Sequence, residues 1–404
     1  MKTIVSINAV NWGSTGNIMI NISNIAGLCG YRTYVAYGDC RRAKKRNIEN
    51  GIIIGNRIMR NISMRLGRFS GCIDRCVPIA TYRFLKYLDT LHPDLIHLHN
   101  LHGSFIHVGM LFNYLKKKGV PIVWTLHDCW AVTGQCPHFT IAKCEKWKEE
   151  CYQCNQYKKY PKTYFDNTRN MHKSKKTWFL GLDKAVIVTP SKWLAKIVEQ
   201  SFLKSYDVRV INNGIDLRKF KYVKSDFLDR YQLRGKEIIL GVADVWSERK
   251  GLNDFHELSK VLQQNQHIIL VGLNQEQIKS IASDNILALP HTSTVEELVT
   301  IYSAATILFN PTYEETFPTV NIEAQACGLP IITYNTGGST EMLQNNTGEV
   351  IAHKEYTAVL RFLQRVSESR EQYREACIEN AKNYSMEDKF EEYLDLYDEM
   401  FVRS

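Results

Sequence analysis

Two glutamates in the second half of the chain offer carboxylates that could bind hydroxyl groups. Glu315 lies in a loop after a predicted strand, and Glu323 lies about two turns into the helix that begins after this loop. Carboxylates accept hydrogen bonds from sugar or ribose hydroxyls, and backbone N–H groups at a helix N-terminus bind phosphate. The helix dipole favours an acid in the first turn, but not one two turns in. The spacing therefore indicates a ligand with hydroxyl and phosphate groups.

A basic loop precedes another predicted helix in the same half. Arg249 and Lys250 lie in the sequence Ser-Glu-Arg-Lys-Gly, which follows the predicted strand Glu237–Asp244. Arginine binds phosphate oxygens as a fork and lysine binds them as a point charge, so the pair could bind a diphosphate. The alternative is a solvated surface loop with mixed charges.

Two features of the first half could also face a ligand. Gly13 and Gly16 follow the first predicted strand, where small residues let backbone N–H groups approach an anion. A tight turn would need the same glycines, and the loop is not a Walker loop because no Gly-Lys-Ser/Thr follows. His127 ends another predicted strand, where it could donate to a ligand oxygen or form a structural bond with Asp128.

A cysteine-rich insertion, residues 129–161, interrupts the pattern of strands and helices. Four of its cysteines have the spacing C-x7-C-x6-C-x2-C; they are Cys136, Cys144, Cys151 and Cys154. Four thiolates can complete a tetrahedral zinc site, and a C-x2-C pair is typical of a zinc knuckle. We therefore predict a structural zinc ion that stabilises a loop with little core of its own. His138 could replace one cysteine, and the alternative is a set of free buried thiols.

A basic amphipathic segment lies in the most positively charged part of the chain. Residues 41–70 contain nine Lys/Arg and one acidic residue. At helical spacing, the segment Asn56–Phe69 has one apolar face, formed by Ile58, Met59, Ile62, Leu66 and Phe69, and an arginine face, formed by Arg57, Arg60, Arg65 and Arg68. This pattern is typical of a helix that binds an anionic membrane surface. Alternatively, the apolar face packs into the N-terminal core.

The composition is that of an ordinary globular protein. Of 404 residues, 44% are hydrophobic and 23% are charged, which excludes wholesale disorder, collagen and a simple coiled coil. No run of eighteen apolar residues occurs, so we predict no membrane-spanning helix. The first residues turn polar too soon for a signal peptide. We therefore expect a cytoplasmic chain whose eleven cysteines are thiols or metal ligands and not disulfides.

Strand and helix patterns alternate along the chain in two series, which predicts two parallel sheets with helices on both faces. The first series of strands is Thr3–Asn8, Thr33–Tyr37, Asp94–Asn100, Pro121–Asp128, Ala185–Ser191 and Val208–Asn212. The second is Glu237–Asp244, His267–Gly272, Asn285–Pro290, Ala305–Pro311 and Pro330–Tyr334. We therefore predict an N-terminal domain over residues 1–212 and a C-terminal domain over 213–385. A final helix within 386–404 has an apolar stripe and is expected to pack back on the first domain.

These motifs together resemble those of glycosyltransferase family 4. The matching pieces are Gly13–Gly16, Asp94–His99, Thr125–Asp128, Asn213–Asp216, Arg249–Gly251, Glu315 with Glu323, Ala326–Pro330 and Thr336–Gly338. They occur in the family's order and cover nearly the whole chain. The sequence around His127 and the later cysteines further resembles the colanic acid and exopolysaccharide subgroup. The resemblance implies an α/β GT-B fold, in which two Rossmann-like domains face each other across a deep cleft.

The resemblance also implies an activity and a set of site residues. A retaining enzyme of this family moves a sugar from a nucleotide-sugar, here a UDP- or GDP-sugar, to a saccharide acceptor. The implied catalytic residues are His127, Arg249, Lys250 and Glu315. The implied donor-binding residues are Gly16, Arg249, Lys250, Glu315, Phe317, Thr319 and Glu323. No Asp-X-Asp occurs, so we expect no catalytic metal.

Two departures from the family bear on the exact donor contacts. The family often has Glu-Gly-Phe-Gly where this chain has Glu315 to Pro318, and Pro318 has no N–H to offer a phosphate. The family's Gly-Arg before the Lys-Gly pair is absent, and Arg249 could replace that arginine.

The subgroup further implies a lipid-linked saccharide acceptor in bacterial exopolysaccharide, capsule or O-antigen biosynthesis. We therefore expect peripheral association with the inner face of the cytoplasmic membrane, and no nucleic-acid partner. The alternatives are a nucleotide-sugar epimerase with the GT-B fold and a non-catalytic protein that binds sugar nucleotides. The spacing of the two glutamates and the Lys-Gly loop favour transfer, and an epimerase would make a new sugar nucleotide without an acceptor.

Overall fold

The computed structural model describes residues 1–39, 48–281 and 283–402. Residues 41–47 of the predicted basic stretch, and the last two residues of the predicted final helix, lie outside the described residues. The chain divides into two compact units. Unit 1 contains residues 1–211 and the C-terminal segment from Phe390, and unit 2 contains Asn212–Lys389.

Unit 1 is built on a parallel sheet of seven strands. They are β1 (Thr3–Asn8), β2 (Arg32–Gly38), β3 (Gly51–Ile54), β4 (Leu95–Leu98), β5 (Ile122–Thr125), β6 (Ala185–Thr189) and β7 (Asp207–Val210). Their order in the sheet is β3-β2-β1-β4-β5-β6-β7. The central strands are buried along their whole length, as expected of a sheet covered on both faces. The strand order reverses between β1 and β4, and ligands of such sheets bind beyond the carboxyl ends of the strands at this point.

Besides a C-terminal helix described below, six α-helices cover the sheet of unit 1 in the described part of the chain. They are α1 (Gly13–Leu28), α2 (Arg57–Ser70), α3 (Pro78–Leu91), α4 (Val108–Lys118), α5 (Thr168–Phe179) and α6 (Lys192–Glu199). A side chain at the N-cap accepts a backbone N–H at the start of α2, α4 and α6, from Asn56, His107 and Ser191 respectively. Such caps satisfy donors that the helix itself leaves unpaired.

Unit 2 contains a parallel sheet of six strands. They are β8 (Glu237–Val242), β9 (Gln266–Val271), β10 (Ile286–Leu289), β11 (Ile307–Asn310), β12 (Ile331–Tyr334) and β13 (Gly348–Ile351), in the order β10-β9-β8-β11-β12-β13. The helices are α7 (Phe227–Arg230), α8 (Leu252–Ser259), α9 (Gln275–Ile281), α10 (Val295–Ala304), α11 (Thr319–Ala326), α12 (Tyr356–Glu368), α13 (Arg370–Ala381) and α14 (Met386–Val402). The strand order reverses between β8 and β11, which places a second ligand-binding edge there.

The part of α14 that belongs to unit 1 is bonded to the sheet of that unit. Tyr397 Oη lies 2.6 Å from His97 Nδ1, and His97 Nε2 lies 2.8 Å from Thr125 Oγ1. Thr125 Oγ1 in turn donates to Tyr393 Oη over 3.2 Å. These buried polar groups fix the C-terminal helix against β4 and β5.

Candidate active site

The predicted cations and one predicted glutamate meet at the carboxyl edge of the unit 2 sheet. Arg249 and Lys250 lie in a short 3-10 turn after β8, and Glu315 lies in the loop after β11. Tyr313 N, in the second loop, donates to the Arg249 carbonyl over 2.9 Å. Because β8 and β11 are neighbours at the reversal of strand order, two loops distant in sequence become adjacent.

Glu315 forms an ion pair with both cations. Its Oε2 atom accepts a hydrogen bond from Lys250 Nζ and lies 3.4 Å from Arg249 Nη1. Arg249 Nη1 also donates to the Glu314 carbonyl over 2.5 Å. The Lys250 and Glu315 side chains are less than one-fifth exposed. The cluster carries two positive charges against the single charge of Glu315, so it has the electrostatic capacity to bind an anion.

Glu323 lies in the second turn of α11, where it is half-buried. Tyr302 Oη donates to Glu323 Oε2 over 3.1 Å, and the Thr319 side chain also hydrogen-bonds to it. Burial raises the pKa of Glu323 above its usual value, because the charged form loses solvation, although these two bonds oppose the shift. The structure thus confines a carboxylate near the start of the helix.

Glycines bring the three loops of this edge close together. A Cβ on Gly337 would lie 1.7 Å from the Glu315 carbonyl oxygen, and one on Gly251 would lie 2.3 Å from the Pro311 carbonyl oxygen. Both glycines have positive φ, +54° and +72°. Gly338 N donates to the Glu315 carbonyl over 3.2 Å. The position of Glu315 therefore depends on backbone approaches that only glycine permits.

Phe317 differs from its predicted role. Its side chain is 4% exposed and packs in a core cluster, with its ring centre 5.9 Å from that of Tyr384. The buried side chain leaves the backbone as the part of Phe317 that can contact a donor, and its donor-binding role stays a prediction. Pro318 is the N-cap of α11, so the missing N–H lies at the helix start, as the sequence indicated.

The glycine loop of unit 1 is shaped by its own packing. Gly13 begins α1 with a φ of +69°, and a Cβ on the buried Gly16 would lie 2.7 Å from the Asn11 carbonyl carbon. The loop therefore needs glycine at position 16 even without a ligand. Asn8, at the end of β1, further holds the loop, because its Nδ2 donates to the Val10 carbonyl over 2.8 Å.

His127 follows β5 and is stacked on a second histidine. His127 Nε2 lies 3.0 Å from His99 Nδ1, and the two ring centres are 5.3 Å apart. Burial lowers the pKa of His127 to about 4, so its imidazole is neutral near pH 7. A neutral histidine at this edge can donate one hydrogen bond and accept another.

Asp128 is bonded to a third histidine that the sequence analysis did not single out. Asp128 Oδ2 lies 2.9 Å from His102 Nε2, and Asp128 Oδ1 accepts from Trp130 N over 2.9 Å. Burial opposes the charge of Asp128, but the neighbouring His102 and these hydrogen bonds outweigh it and lower the pKa to about 2. The histidine triplet at positions 97, 99 and 102 was the available signal, because it continues past the end of a strand.

The four cysteines of the predicted zinc site line one cavity of about 190 Å³, together with Phe139 and Trp147. Burial raises the pKa of Cys136 to about 12 and that of Cys151 to about 11. Within the described ranges, no group of three or more His, Cys, Asp or Glu side chains is placed to hold a metal ion. The structure therefore does not support the zinc site predicted at Cys136, Cys144, Cys151 and Cys154.

The insertion is held instead by packing into the core of unit 1. Trp147 is buried and stacks on Phe139 with ring centres 4.9 Å apart. The fully buried Lys175 of α5 donates to the Trp130 carbonyl over 2.9 Å and lies 3.3 Å from Asp74 Oδ2. The buried residues of the insertion thus join the core cluster of unit 1.

The apolar face of helix α2 is exposed and does not pack into the core. Its apolar stripe is exposed, with exposed fractions of 73%, 54%, 66% and 66% for Ile58, Ile62, Leu66 and Phe69. The alternative that this face packs into the core is therefore wrong. Gly67 is the residue of α2 that is fully buried.

One of the four arginines of α2 turns inward. Arg60 is half-buried, donates from Nη1 to the Asp39 carbonyl over 3.0 Å, and donates from Nε and Nη2 to the Gly103 carbonyl. The prediction that Arg60 lies on a membrane-facing side is therefore not supported.

Over the part of the chain that the structure describes, no helix is both long and apolar enough to span a membrane.

Two family models match consecutive parts of the chain. The model described as Glycosyltransferase Family 4 matches residues 35–219, and the model described as Glycosyl transferases group 1 matches residues 224–384. The chain belongs to the glycosyltransferases. The first match lies in unit 1 except for its last residues, 212–219, and the second lies in unit 2. The basic loop and both glutamates of this glycosyltransferase therefore lie in the group 1 region.

Curated relatives share the family with this glycosyltransferase. The chain is 25% identical over 285 residues to an Escherichia coli (strain K12) protein named for colanic acid biosynthesis, with 66% of each chain covered. It is 30% identical over 162 residues to the N,N'-diacetylbacillosaminyl-diphospho-undecaprenol alpha-1,3-N-acetylgalactosaminyltransferase of Campylobacter jejuni, over 37% of this chain and 42% of the relative. The matched regions thus span less than two-thirds of these relatives' own lengths.

Solved structures show that this glycosyltransferase has the GT-B fold. Sucrose-phosphate synthase of Thermosynechococcus elongatus aligns over 100% of both chains with a TM-score of 0.74 and 18% identity. An Anabaena protein, Alr3699/HepE, solved in complex with UDP-glucose, aligns over 99% of this chain and 100% of its own with a TM-score of 0.66 and 12% identity. Two α/β domains with parallel sheets, as predicted from the alternation of strands and helices, are therefore confirmed.

Proposed function

We propose that the protein transfers a sugar, with retention of anomeric configuration, from a nucleotide-sugar to a saccharide acceptor in bacterial exopolysaccharide, capsule or O-antigen biosynthesis. The observation that carries the proposal is the meeting of Arg249, Lys250 and Glu315 at the reversal of strand order in unit 2. The relatives named for colanic acid biosynthesis and for undecaprenol-linked transfer support the pathway class.

The donor diphosphate binds the two cations in this proposal. A bound diphosphate competes with the Glu315 carboxylate for Lys250, and Glu315 is then available to a hydroxyl of the donor sugar. As the bond to the sugar breaks, negative charge grows on the diphosphate, and Arg249 and Lys250 stabilise it. Fixed charges placed where charge develops are usually the largest contribution to catalysis.

The nucleoside binds beside Glu323, whose carboxylate accepts the ribose hydroxyls. Thr319 begins the same helix and contributes to the phosphate end of the site. A UDP-sugar is the favoured donor because structural neighbours of this fold were solved with UDP and UDP-glucose. We retain the family role for His127, which contacts a ligand at the carboxyl edge of unit 1.

The acceptor is lipid-linked, and α2 brings the protein to the membrane that holds it. The helix presents four exposed apolar residues on one face, and the exposed Arg57 and Arg65 lie on its flanks. An amphipathic helix with this composition lies in the plane of an anionic interface. The relative that acts on a diphospho-undecaprenol substrate supports such an acceptor.

The test is a transfer assay with the purified chain, a panel of UDP- and GDP-sugars, and an undecaprenyl-diphosphate-linked sugar as the acceptor. We expect a new glycolipid and release of the nucleoside diphosphate, with retained configuration in the product. A new sugar nucleotide formed without the acceptor would identify an epimerase. Binding of the nucleotide-sugar without any turnover over the whole panel would favour a non-catalytic binding protein.

A further inference from the structure

We propose that Tyr160, held by His102 and Asp128, binds the hydroxyl group of the acceptor saccharide. This inference rests on the proposed function, because it names a group in unit 1 that recognises the acceptor. The three side chains form one hydrogen-bonded chain that no part of the donor site uses.

The chain runs from a buried carboxylate to a surface phenol. Asp128 Oδ2 lies 2.9 Å from His102 Nε2, and His102 Nδ1 lies 3.1 Å from Tyr160 Oη. The His102 and Asp128 side chains are 11% and 13% exposed, whereas Tyr160 is 62% exposed. A ligand at the surface can therefore meet the tyrosine.

The direction of the hydrogen bonds follows from the charge of Asp128. Hydrogen bonds and the nearby His102 keep this buried carboxyl ionised, so it can only accept. His102 Nε2 must then donate to it, which fixes the orientation of the imidazole ring and places Nδ1 beside the Tyr160 oxygen. The Tyr160 hydroxyl can both donate and accept, so beyond its bond to His102 it can still exchange a hydrogen bond with an incoming hydroxyl group.

The location favours a ligand site over a structural anchor. His102 follows β4 and Asp128 follows β5, at the carboxyl edge beside the reversal of strand order in unit 1. Asp128 also directly follows His127, the residue assigned to ligand binding. A buried charge is costly unless it is paired, and here the pair orients a single exposed tyrosine.

A cation lies close to the same tyrosine. The positive charge of Arg60 acts on Tyr160, and Arg60 is bonded to the Gly103 carbonyl, directly after His102. Arg60 belongs to α2, the helix proposed to lie on the membrane. The helix is thus tied to the loop of the tyrosine, which places a lipid-linked saccharide within reach of the site.

The test compares Tyr160→Phe, which removes one oxygen, with wild type and with Tyr152→Phe, a matched exposed tyrosine of the same insertion. With the active UDP-sugar and the undecaprenyl-linked acceptor, we expect Tyr160→Phe to raise the acceptor KM about tenfold, the size of one lost hydrogen bond. The Kd for the UDP-sugar and its slow hydrolysis without acceptor should stay within about twofold of wild type. Tyr152→Phe should match wild type.

A double-mutant cycle tests whether the residues act together. His102→Phe should raise the acceptor KM as much as Tyr160→Phe, and the double variant should lose no more than either. An unchanged acceptor KM in Tyr160→Phe, or an equal loss of UDP-sugar binding, would overturn this inference while transfer by wild type upholds the proposed function. If wild type transfers no sugar, the proposed function fails and this inference fails with it.

Discussion

At the scale of single residues, Lys250 lies closer to the Glu315 carboxylate than Arg249 does. In the proposed function, the donor diphosphate replaces Glu315 as the partner of Lys250. We expect Lys250→Ala to lower kcat/KM about 100-fold or more, since a charged hydrogen bond in the transition state is worth roughly 3 kcal/mol. The matched control is Lys260→Ala, which removes an exposed lysine paired with Glu257 in the same unit. Near wild-type kcat/KM in Lys250→Ala would contradict the donor site.

Glu323 predicts a pH dependence of donor binding. Its raised pKa means that the folded state binds a proton more tightly than the unfolded chain. Its contribution to folding stability is therefore full below the unfolded pKa and is lost as pH rises through the folded pKa. Donor affinity should change with pH in the opposite direction and rise as pH rises. The ionised carboxylate accepts hydrogen bonds from two ribose hydroxyls better than the protonated form does.

The measurement is the Kd of the UDP-sugar against pH, from mildly acidic to neutral. We expect wild-type affinity to rise over the window just above the usual glutamate pKa. Glu323→Gln should bind the donor more weakly, with a flat profile and lower transfer but the same fold by circular dichroism. A sloping profile in this variant would assign the titration to another group.

Several residue roles could be predicted from sequence, and others could not. The resemblance placed Arg249, Lys250 and Glu315 in one set of site residues, and the structure brings them together because each follows a strand and parallel strands end at one edge. A motif does not say which way a side chain points, and the structure buries that of Phe317. Arg60 was misjudged for a similar reason, since helical periodicity identifies a face but not the partner on its far side.

At the scale of elements, the loop of Glu315 depends on the loop that follows β12. We expect Gly337→Ala to destabilise the protein by about 2 kcal/mol, from a positive φ and a blocked carbonyl, and to weaken donor binding. Gly235 also has a positive φ, +79°, but a Cβ there would meet nothing within 4 Å. Gly235→Ala should thus cost only about 1 kcal/mol, with donor Kd unchanged.

Urea unfolding and the donor Kd are measured on both variants. Comparing them separates the cost of a positive φ from the cost of the contact with the Glu315 carbonyl. If both glycine variants lose the same stability and keep the same donor Kd, the close approach to Glu315 does not shape the site.

Strands were more predictable than the segment that connects β5 to α5. Each of the eleven predicted strands overlaps an observed one, because buried parallel strands are near-continuous apolar runs. The missed strands β3 and β13 lie at sheet edges and have one buried residue each, so the rule for fully buried strands does not extend to them. The cysteine spacing suggested a metal, but spacing alone does not reveal the Trp147 stack and the hydrogen bond from Lys175 to the Trp130 carbonyl that hold the insertion.

At the scale of the whole molecule, the charge is uneven: residues 41–70 carry a net charge of +8 and residues 141–180 carry +6, so the rest of the chain is net negative. The first of these stretches includes α2, whose exposed apolar stripe would be unfavourable in water without a partner. Phe69 extends the stripe through ring contacts with Tyr164 and Phe165, at centre distances of 5.6 and 5.9 Å. The apolar patch and the adjacent arginines are what an anionic lipid surface would cover.

We predict that this patch binds anionic liposomes reversibly. Each basic residue near the surface contributes roughly 1 kcal/mol, and each apolar side chain that is fully buried adds about 1.5 to 3 kcal/mol. Ile58→Ser/Ile62→Ser/Leu66→Ser should therefore abolish co-sedimentation, and Arg57→Ser/Arg65→Ser/Arg68→Ser should weaken it on anionic lipid alone. Arg60 stays unchanged in both variants because it is bonded within unit 1.

The measurement is co-sedimentation with and without anionic lipid, at low and high salt. Leu28→Ser is the matched control, because Leu28 is 87% exposed at the end of α1, outside this patch. Wild-type binding should fall between 0.1 M and 1 M salt, as the Debye length shrinks from about 10 Å to about 3 Å. If binding does not change with salt and is equal in the arginine variant, the apolar stripe is the only membrane contact. Binding that also survives the apolar variant would place the membrane surface elsewhere on the protein.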